Sequence, residues 1–402
     1  MALLYRYTRL NDRANTGVFT FIVTRSVTRD IHRDATTKDF VFGYHRWAIS
    51  FCRQDKNVLG VVLILRNPSA GTRVLVDFTF TLVSREHFSK NELFSQRQCA
   101  FTLAQSTHGT PRLIATSDLR AKRFSDENSE FVLELTLGNI KAIYESDFKP
   151  TSSSPAANPK APVPSPKLET PSFMFGGLEW NVTMVQNGSP PPSTSATSAN
   201  AETPETGRCR VFLNRLTGFQ HHCRVQYRVV VQEGERKADS GMLDQISDLN
   251  GRIRGFPVKG FPTLDPPPKV HVELLCANLT SEVKVALQTR DPNAEPNCYD
   301  RDRQGWSVEA DADAADCLKV KVFFSDIQLV PRNHLRYVSW NVYVVRTQAN
   351  SGNRESVPVL DAPHSNFYVQ DGVDMGVVMD TNIPVKDVST ALYLLDLCYN
   401  SI

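Results

Sequence analysis

The sequence predicts an all-β fold of two antiparallel β-sandwiches in tandem, followed by a short C-terminal extension. Apolar and polar residues alternate along residues 46–51, 74–83 and 131–137, as in a strand with one buried face. β-Branched and aromatic residues dominate these segments. No helical pattern of three turns is evident before residue 149. Short strands separated by turn residues favour a sandwich.

Composition divides the chain further. Residues 146–171 are rich in Pro, Ser and Ala, and are predicted to form an extended linker. Residues 188–207 have the same composition but closely follow a strand pattern, so they are predicted as a loop inserted in a domain. The predicted domains are a sandwich at 15–145, a divergent sandwich with long insertions at 172–345, and an extension at 346–402.

An internal repeat supports two related sandwiches. Residues 40–51 and 173–184 share an aromatic-x-Phe-Gly motif with a Trp four residues after the Gly, namely Trp47 and Trp180. Both Trp residues are predicted as core anchors. Residues 210–216 and 223–231 resemble 60–66 and 73–83, and residues 318–327 resemble 131–140, which assigns 318–327 to the closing strand of the second copy.

Charge and hydropathy exclude several functional classes. Lys and Arg number 45 and Asp and Glu 43, a net charge of +2, so no strong basic field attracts nucleic acid. No run of 18 apolar residues and no apolar signal-peptide core occur. We therefore expect a cytoplasmic protein, with the nucleus as the alternative compartment, and no membrane partner. The eight cysteines include no CxxC motif and are expected to be free thiols.

Two segments contain residue types that bind metals. His221, His222 and Cys223 are adjacent, but neighbours on a strand point to opposite faces, so at most two can share one ion. The acidic segment 309–316 lacks the Gly and the terminal Glu of a calcium loop. We predict exposed histidines at a strand edge, a solvated acidic loop, and no metal or other cofactor.

A nucleophilic cysteine is the remaining catalytic candidate. Cys99 lies on a predicted strand, and His87 and His108 are near it in sequence, but a nucleophile also needs a paired base and an oxyanion donor. A packing residue is the favoured interpretation of Cys99. No hydrolase, P-loop, dinucleotide-binding, zinc-protease or kinase signature occurs, so the protein is predicted not to be an enzyme.

Residues 19–140 resemble a MATH domain, the TRAF-like sandwich of about eight strands. The similarity consists of a Phe-Gly-Trp strand, an apolar strand, an alternating aromatic strand, the strand after the family's small helix and the closing strand, in the family's order. These segments are 40–51, 59–65, 76–82, 95–101 and 128–135. Residues 173–327 resemble the same family less closely.

The resemblance implies a module that binds an extended peptide against a sheet edge and a shallow groove. Matching positions place the groove at Leu63, Phe78, Cys99, Thr107 and Gly109, with Phe101 bordering it. Phe78 alone keeps an aromatic ring, so the ligand is expected to differ from the family's. Because alternation puts Phe78 and Phe80 on one face, groove and core remain equal alternatives for Phe78.

The C-terminal residues contain a second resemblance. Residues 374–386 are similar to the opening strands of a BTB domain, with Lys386 near the usual His. MATH followed by BTB implies a substrate adaptor of cullin-type ubiquitin ligases, here truncated or divergent. An ordinary hairpin packed on the second sandwich is the alternative.

The predicted function is a non-catalytic adaptor that binds a protein or an extended peptide, linked to a ubiquitin-ligase complex. The alternative is a structural or assembly protein whose sandwiches oligomerise without using a groove. An exposed sheet edge near Phe78 and Phe101 would favour the adaptor, and the same surface buried against another domain or subunit would favour assembly.

Overall fold

The computed structural model confirms the all-β class and its antiparallel sandwiches. It describes residues 2–11, 16–29, 35–55, 57–151, 167–186, 208–259, 267–285, 298–300, 303–332, 334–347, 354–359, 364–385 and 391–401. The predicted insertion at 188–207 lies outside these ranges. The chain divides into two compact units, Met1–Thr217 with Val225–Cys276, and Gly218–Arg224 with Ala277–Ile402.

The first sandwich lies in the first unit. Its strands are β1 (Ala2–Asn11), β2 (Thr16–Val23), β3 (Ala35–Thr36), β4 (Phe40–Phe42), β5 (His45–Asp55), β6 (Val58–Leu65), β7 (Thr72–Leu82), β8 (Glu92–Phe101), β9 (Thr107–Ala115) and β10 (Phe131–Asp147). One sheet has the order β1-β2-β10-β7-β8. In the other, β3 and β4 pair with one side of β5 and β6 with its other side, and β9 follows β6. Two short helices, α1 (Arg25–Arg29) and α2 (Thr116–Ala121), and a 3-10 turn (Phe88–Lys90) connect strands.

The second sandwich follows, and all but the start of β16 and the end of β19 lies in the same unit. Its strands are β11 (Lys149–Pro150), β12 (Lys167–Glu169), β13 (Phe173–Phe175), β14 (Leu178–Gln186), β15 (Arg208–Arg215), β16 (His222–Glu233), β17 (Arg236–Ser247), β18 (Phe256–Lys259) and β19 (Lys269–Val285). One sheet has the order β11-β12-β14-β15-β18, with β13 also on β14. The other places β16 between β17 and β19.

Strand β10 belongs to both sandwiches. Its residues 131–137 pair with β2, and its residues 142–147 pair with residues 269–274 of β19. The linker predicted at 146–171 therefore differs from what is observed. Lys149 pairs with Glu169 and Pro150 with Leu168, so this segment connects neighbouring strands of one sheet. Residues 152–166 lie outside the described ranges.

The second unit also builds a sandwich. Its further strands are β20 (Cys298–Tyr299), β21 (Gly305–Ala312), β22 (Cys317–Phe324), β23 (Arg336–Thr347), β24 (Arg354–Pro358), β25 (His364–Tyr368), β26 (Val377–Pro384) and β27 (Ala391–Ser401), with a 3-10 turn at Ile327–Leu329. One sheet has the order β20-β21-β22-β26. In the other, β23 pairs with β24, β25 and β27, and β27 pairs with residues 279–285 of β19.

Residues 346–402 are therefore not arranged as the predicted extension. The segment with the BTB resemblance forms β26, which pairs with β22, while Lys386 lies outside the described residues. Residues 318–327, predicted as the closing strand of the second sandwich, contain most of β22, and β19 occupies that closing position instead. The reason is physical: an alternating apolar pattern is the same in every copy and does not specify which copy a strand joins.

The predicted core anchors Trp47 and Trp180 are confirmed. Both are fully buried, and each indole N–H donates to the main-chain oxygen five residues earlier, at Phe42 and Phe175, over 3.0 Å. Trp306 of the second unit is equally buried, but its indole N–H donates to Asp300 Oδ2 at 3.0 Å. In all three sandwiches the buried indole N–H of this Trp thus has a hydrogen-bond acceptor, as a buried polar group requires.

A buried threonine is repeated as well. Thr37 Oγ1 accepts from the Ile49 N–H, and Thr170 Oγ1 accepts from the Val182 N–H, both at 3.0 Å. The N–H of each threonine donates to the carbonyl of the same partner, at 2.9 and 3.0 Å. In each sandwich the threonine side chain thus accepts a hydrogen bond that a main-chain carbonyl would otherwise accept.

His45 lies where the first two sandwiches meet inside the first unit. Its ring is 5.8 Å from the Phe175 ring and 6.2 Å from the Trp47 indole, measured between centroids. Its Nε2 atom is buried and has no hydrogen-bond partner among the described residues. Burial lowers the pKa of His45 to about 4, because the charged form loses its water.

Replacing the buried threonine should destabilise the first sandwich. Thr37→Val leaves the buried Ile49 N–H without its acceptor, and we expect a loss of about 1–3 kcal/mol in the free energy of unfolding. The exposed neighbour Thr36 provides the control, Thr36→Val. Chemical denaturation of the full chain measures both, and an equal effect of the two variants would contradict this role for Thr37.

Acidification should weaken the contact around His45. The unfolded state takes up a proton near pH 6.5 and the folded state only near pH 4, so stability falls as the pH decreases through this window. Between pH 7 and pH 4, we expect the free energy of unfolding to fall by about 2–3 kcal/mol less in His45→Leu than in the wild type. Denaturation at several pH values tests this, with His334→Leu as the control. Parallel pH profiles for wild type and His45→Leu would exclude the effect.

Candidate functional site

Strands β8 and β9 are edge strands of the two sheets of the first sandwich, and they follow one another in the chain. β8 is the last strand of one sheet and β9 of the other, and the turn between them is closed by the Thr102 N–H donating to the Gln105 carbonyl at 2.9 Å. Within the described residues β9 pairs only with β6. Pro111 within β9 fits such a position, because edge strands tolerate a residue without an N–H.

Three of the predicted groove residues lie in the core. Leu63, Phe78 and Phe101 are 0, 2 and 0% exposed, and the Phe101 ring packs 5.2 Å from Trp47 and 6.4 Å from Phe78. Of the two alternatives for Phe78, the structure shows a position in the core and not in a groove. Alternation explains the result, because β7 directs its aromatic side chains at the opposite sheet. As placed, these side chains do not reach a ligand on the surface.

The other predicted residues reach the surface. Thr107 is exposed, and Cys99 and Gly109 are partly exposed. Thr107 and Gly109 lie together on β9, whereas Cys99 lies on β8. The structure therefore brings two of the six predicted residues to one strand edge, with Cys99 on the neighbouring strand.

Cys99 has the environment of a protonated thiol. Burial raises its pKa, and the negative charge of Asp77 raises it further. The thiol donates to Gln96 Oε1 at 3.4 Å. His108 Nε2 is 3.0 Å from the Ala100 carbonyl oxygen, and His87 Nδ1 is 2.8 Å from Ser89 Oγ. The two candidate bases thus contact groups other than the Cys99 thiol.

Gly109 is required by a close main-chain approach. A Cβ built at this position would lie 2.2 Å from the Val61 carbonyl oxygen and 2.6 Å from Val62 Cα. Backbone atoms cannot yield as the end of a flexible side chain does. Gly109 therefore has a structural reason to be glycine, independent of any ligand.

The second sandwich has a cavity at its corresponding edge, and sequence reasoning missed it. The cavity has a volume of about 310 Å³ and lies between the β16–β17 hairpin and β18. We call this cavity, with its rim, the β17–β18 cleft. Its floor includes Met184, Val231 and Phe256. These residues come from three strands far apart in sequence, so no local motif reveals the cleft.

The segments with metal-binding residue types are accounted for by local structure. Asp313 Oδ1 accepts from the main-chain N–H groups of Ala315 and Cys317, which makes the acidic segment a hairpin turn. Cys223 is buried, and His221 Nδ1 is 3.4 Å from Ser281 Oγ. No group of three or more His, Cys, Asp or Glu side chains is placed to hold a metal ion in the part of the chain that the structure describes.

Comparisons with known proteins leave the family open. No protein-family model matches the sequence, and no curated protein matches it. Among solved structures, the M60 catalytic domain with the CBM51-1 and CBM51-2 domains of ZmpB from Clostridium perfringens matches 91% of this chain. The match covers 55% of that chain, at 8% identity and a TM-score of 0.09, so it carries no argument about fold or function.

Hydropathy adds one observation. None of the helices among the described residues has the length and apolar character needed to cross a bilayer.

Substituting Gly109 should disturb β9 even without a ligand. In Gly109→Ala the added methyl group meets the β6 main chain, and we expect a loss of about 2–3 kcal/mol in unfolding free energy. Thr107→Ala, an exposed change on the same strand, should cost less than about 0.5 kcal/mol. Thermal and chemical unfolding of both variants measures the difference. A Gly109→Ala protein as stable as wild type would show that β6 and β9 do not approach so closely.

Proposed function

We propose that this protein is a non-catalytic adaptor that binds an extended peptide of a partner protein along the outer edge of β9. The observation that carries the proposal is the unpaired side of this strand within the described residues. An unpaired strand presents main-chain donors and acceptors at the spacing that an added strand needs. The resemblance of residues 19–140 to MATH domains supports the same use of the edge.

The main-chain geometry supports a particular set of contact atoms for this proposal. The Leu65 N–H donates to the Ser106 carbonyl at 2.9 Å, and bonded residues alternate along an antiparallel pair. The N–H and C=O groups of Thr107 and Gly109 consequently point away from β6. These two residues supply main-chain bonds to the ligand in our proposal, and Cys99 on β8 supplies a side-chain contact.

The resemblance also suggests a pathway. MATH domains joined to BTB domains are substrate adaptors of cullin-type ubiquitin ligases, and we propose that this chain recognises substrates for such a complex. Its site of action in this proposal is the cytoplasm, with the nucleus as the alternative. The link to ubiquitination depends on the family resemblance and not on the β9 edge.

Assembly through the sandwiches is the second candidate function. Phe88 and Leu93 are 77 and 66% exposed, next to and on the edge strand β8. Large apolar side chains beside an open strand favour association with a second copy. This candidate predicts a dimer in solution, whereas the adaptor proposal does not need one.

A proline at the β9 edge should weaken peptide binding about tenfold. Thr107→Pro removes an outward N–H, whereas Thr107→Val keeps the N–H and removes only the hydroxyl group. We select extended peptides on the full wild-type chain from a phage-displayed random library, and measure their affinities by fluorescence polarisation. We expect about a tenfold loss for Thr107→Pro, equivalent to about 1.4 kcal/mol, and little change for Thr107→Val.

The outcomes separate the two functions. Equal affinities for wild type and a folded Thr107→Pro protein would overturn binding at β9. If no peptide is selected and the chain sediments as a dimer that Leu93→Asp dissociates, the assembly function replaces the adaptor function.

A further inference from the structure

The β17–β18 cleft has an apolar floor between the two sheets of the second sandwich. Met184, Val231 and Phe256 are 0, 5 and 8% exposed, and they come from β14, β16 and β18. The volume of about 310 Å³ is at the lower end of the range of ligand pockets, about 300–1,000 Å³. The cleft therefore has room for an apolar side chain but not for a large cofactor.

The connections at this edge differ in length between the first two sandwiches. Fifteen residues connect β9 to β10, and they include α2 with the buried Leu119 and, after α2, the buried Phe124. Only nine residues connect β18 to β19. The hairpin before the edge strand also differs, since β16 and β17 are joined by the two residues 234 and 235, whereas nine residues join β7 to β8.

The rim of the cleft is charged. The Asp239 carboxylate is paired with the Arg228 guanidinium, through bonds of 3.0 and 2.5 Å. Arg228, and then the Gly241 N–H, hold the pKa of Asp239 well below its ordinary value. Arg236 and Lys237 are exposed on the same rim, with Glu233 beside them. With Asp239 neutralised by Arg228, the remaining rim charges have an excess of one positive charge.

Main-chain groups are also present at the cleft. β17 pairs only with β16, and β18 only with β15, within the described residues. An extended chain lying in the cleft can therefore bond to a strand edge while one of its side chains enters the cavity. Hydrogen bonds to the main chain favour a peptide over a compact apolar ligand.

We propose that the β17–β18 cleft is a second binding site, which takes an extended peptide with an apolar side chain next to an acidic residue. The apolar side chain enters the cavity above Met184, Val231 and Phe256. The acidic residue lies against Arg236 and Lys237. This site is separate from the β9 edge, so it goes beyond the proposed function and does not depend on it.

The test uses the full chain and two synthetic pools of fluorescein-labelled peptides of about eight residues. Both pools carry a central Leu, Phe or Met, followed by Asp or Glu in the first pool and by Lys or Arg in the second. We expect fluorescence polarisation to show binding of the first pool at least tenfold tighter than of the second. The double variant Arg236→Glu with Lys237→Glu should reverse this preference.

A second variant tests the cavity without changing charge. Ala238→Trp places a large side chain at the lining of the cleft, and we expect it to reduce binding of the first pool about tenfold. Arg332→Glu, an exposed charge reversal in the other unit, should leave binding unchanged, and Thr107→Pro should leave it unchanged as well. Circular dichroism and thermal unfolding establish that each variant is folded.

Several results would overturn the site. Absence of binding of the first pool to the folded wild-type chain would do so, as would binding that neither the charge reversal nor Ala238→Trp reduces. Loss of this binding in Thr107→Pro would assign the peptides to the β9 edge instead. Because the two sites respond to different variants, failure of one proposal is distinguishable from failure of the other.

Discussion

The first unit depends on one long strand that serves two sandwiches. The register of β10 with β7 shifts between Gly138 and Lys141, and residues 142–144 then pair with β7 on one side and with β19 on the other. At this irregularity Asn139 has a positive φ of 52°, and its side-chain amide donates to Asp77 Oδ2 at 2.8 Å. Beyond it, Tyr144 stacks on Phe173 of the second sandwich at 4.0 Å between ring centroids. A continuous hydrogen-bonded strand and a buried aromatic pair therefore fix the two sandwiches together.

This shared strand also determines which sheet edges remain open. In the sheet of the second sandwich, β10 covers the outer side of β19, so β17 is left as the opposite edge. In the first sandwich, β10 lies between β2 and β7, and the sheet ends at β1 on one side and at β8 on the other. Of these ends, β8 and β17 border the two proposed sites.

The sequence predicted the local pattern well and the assembly of copies poorly. Alternation correctly placed Phe78 and Phe80 on one face, and the shared motif correctly marked Trp47 and Trp180 as anchors. The sequence pattern did not predict that β10 pairs with strands of both sandwiches. The register between distant strands is set by contacts that no short segment encodes. The composition of residues 146–171 suggested a spacer, whereas residues near both ends of this segment pair with each other in one sheet.

Differences between the copies explain why the repeat is hard to read. The residue that pairs with the anchoring Trp is Leu65 in the first sandwich, Arg215 in the second and Phe324 in the third. Arg215 is only 1% exposed, and its guanidinium donates to the Asp248 carbonyl at 2.6 Å. A buried arginine at an apolar position breaks the hydrophobic pattern, yet the hydrogen bond makes the substitution compatible with the core.

The connection of the first two sandwiches through β10 changes how two binding sites in this unit would cooperate. Two sites on a flexible linker gain an effective concentration that depends on linker length, and they adapt to many ligand spacings. The β9 edge and the β17–β18 cleft instead belong to sandwiches held by β10 and by the Tyr144–Phe173 contact. A ligand that occupies both sites must match one fixed separation. Selectivity between partners would then come from the spacing of two short segments as well as from the side chains that each site accepts.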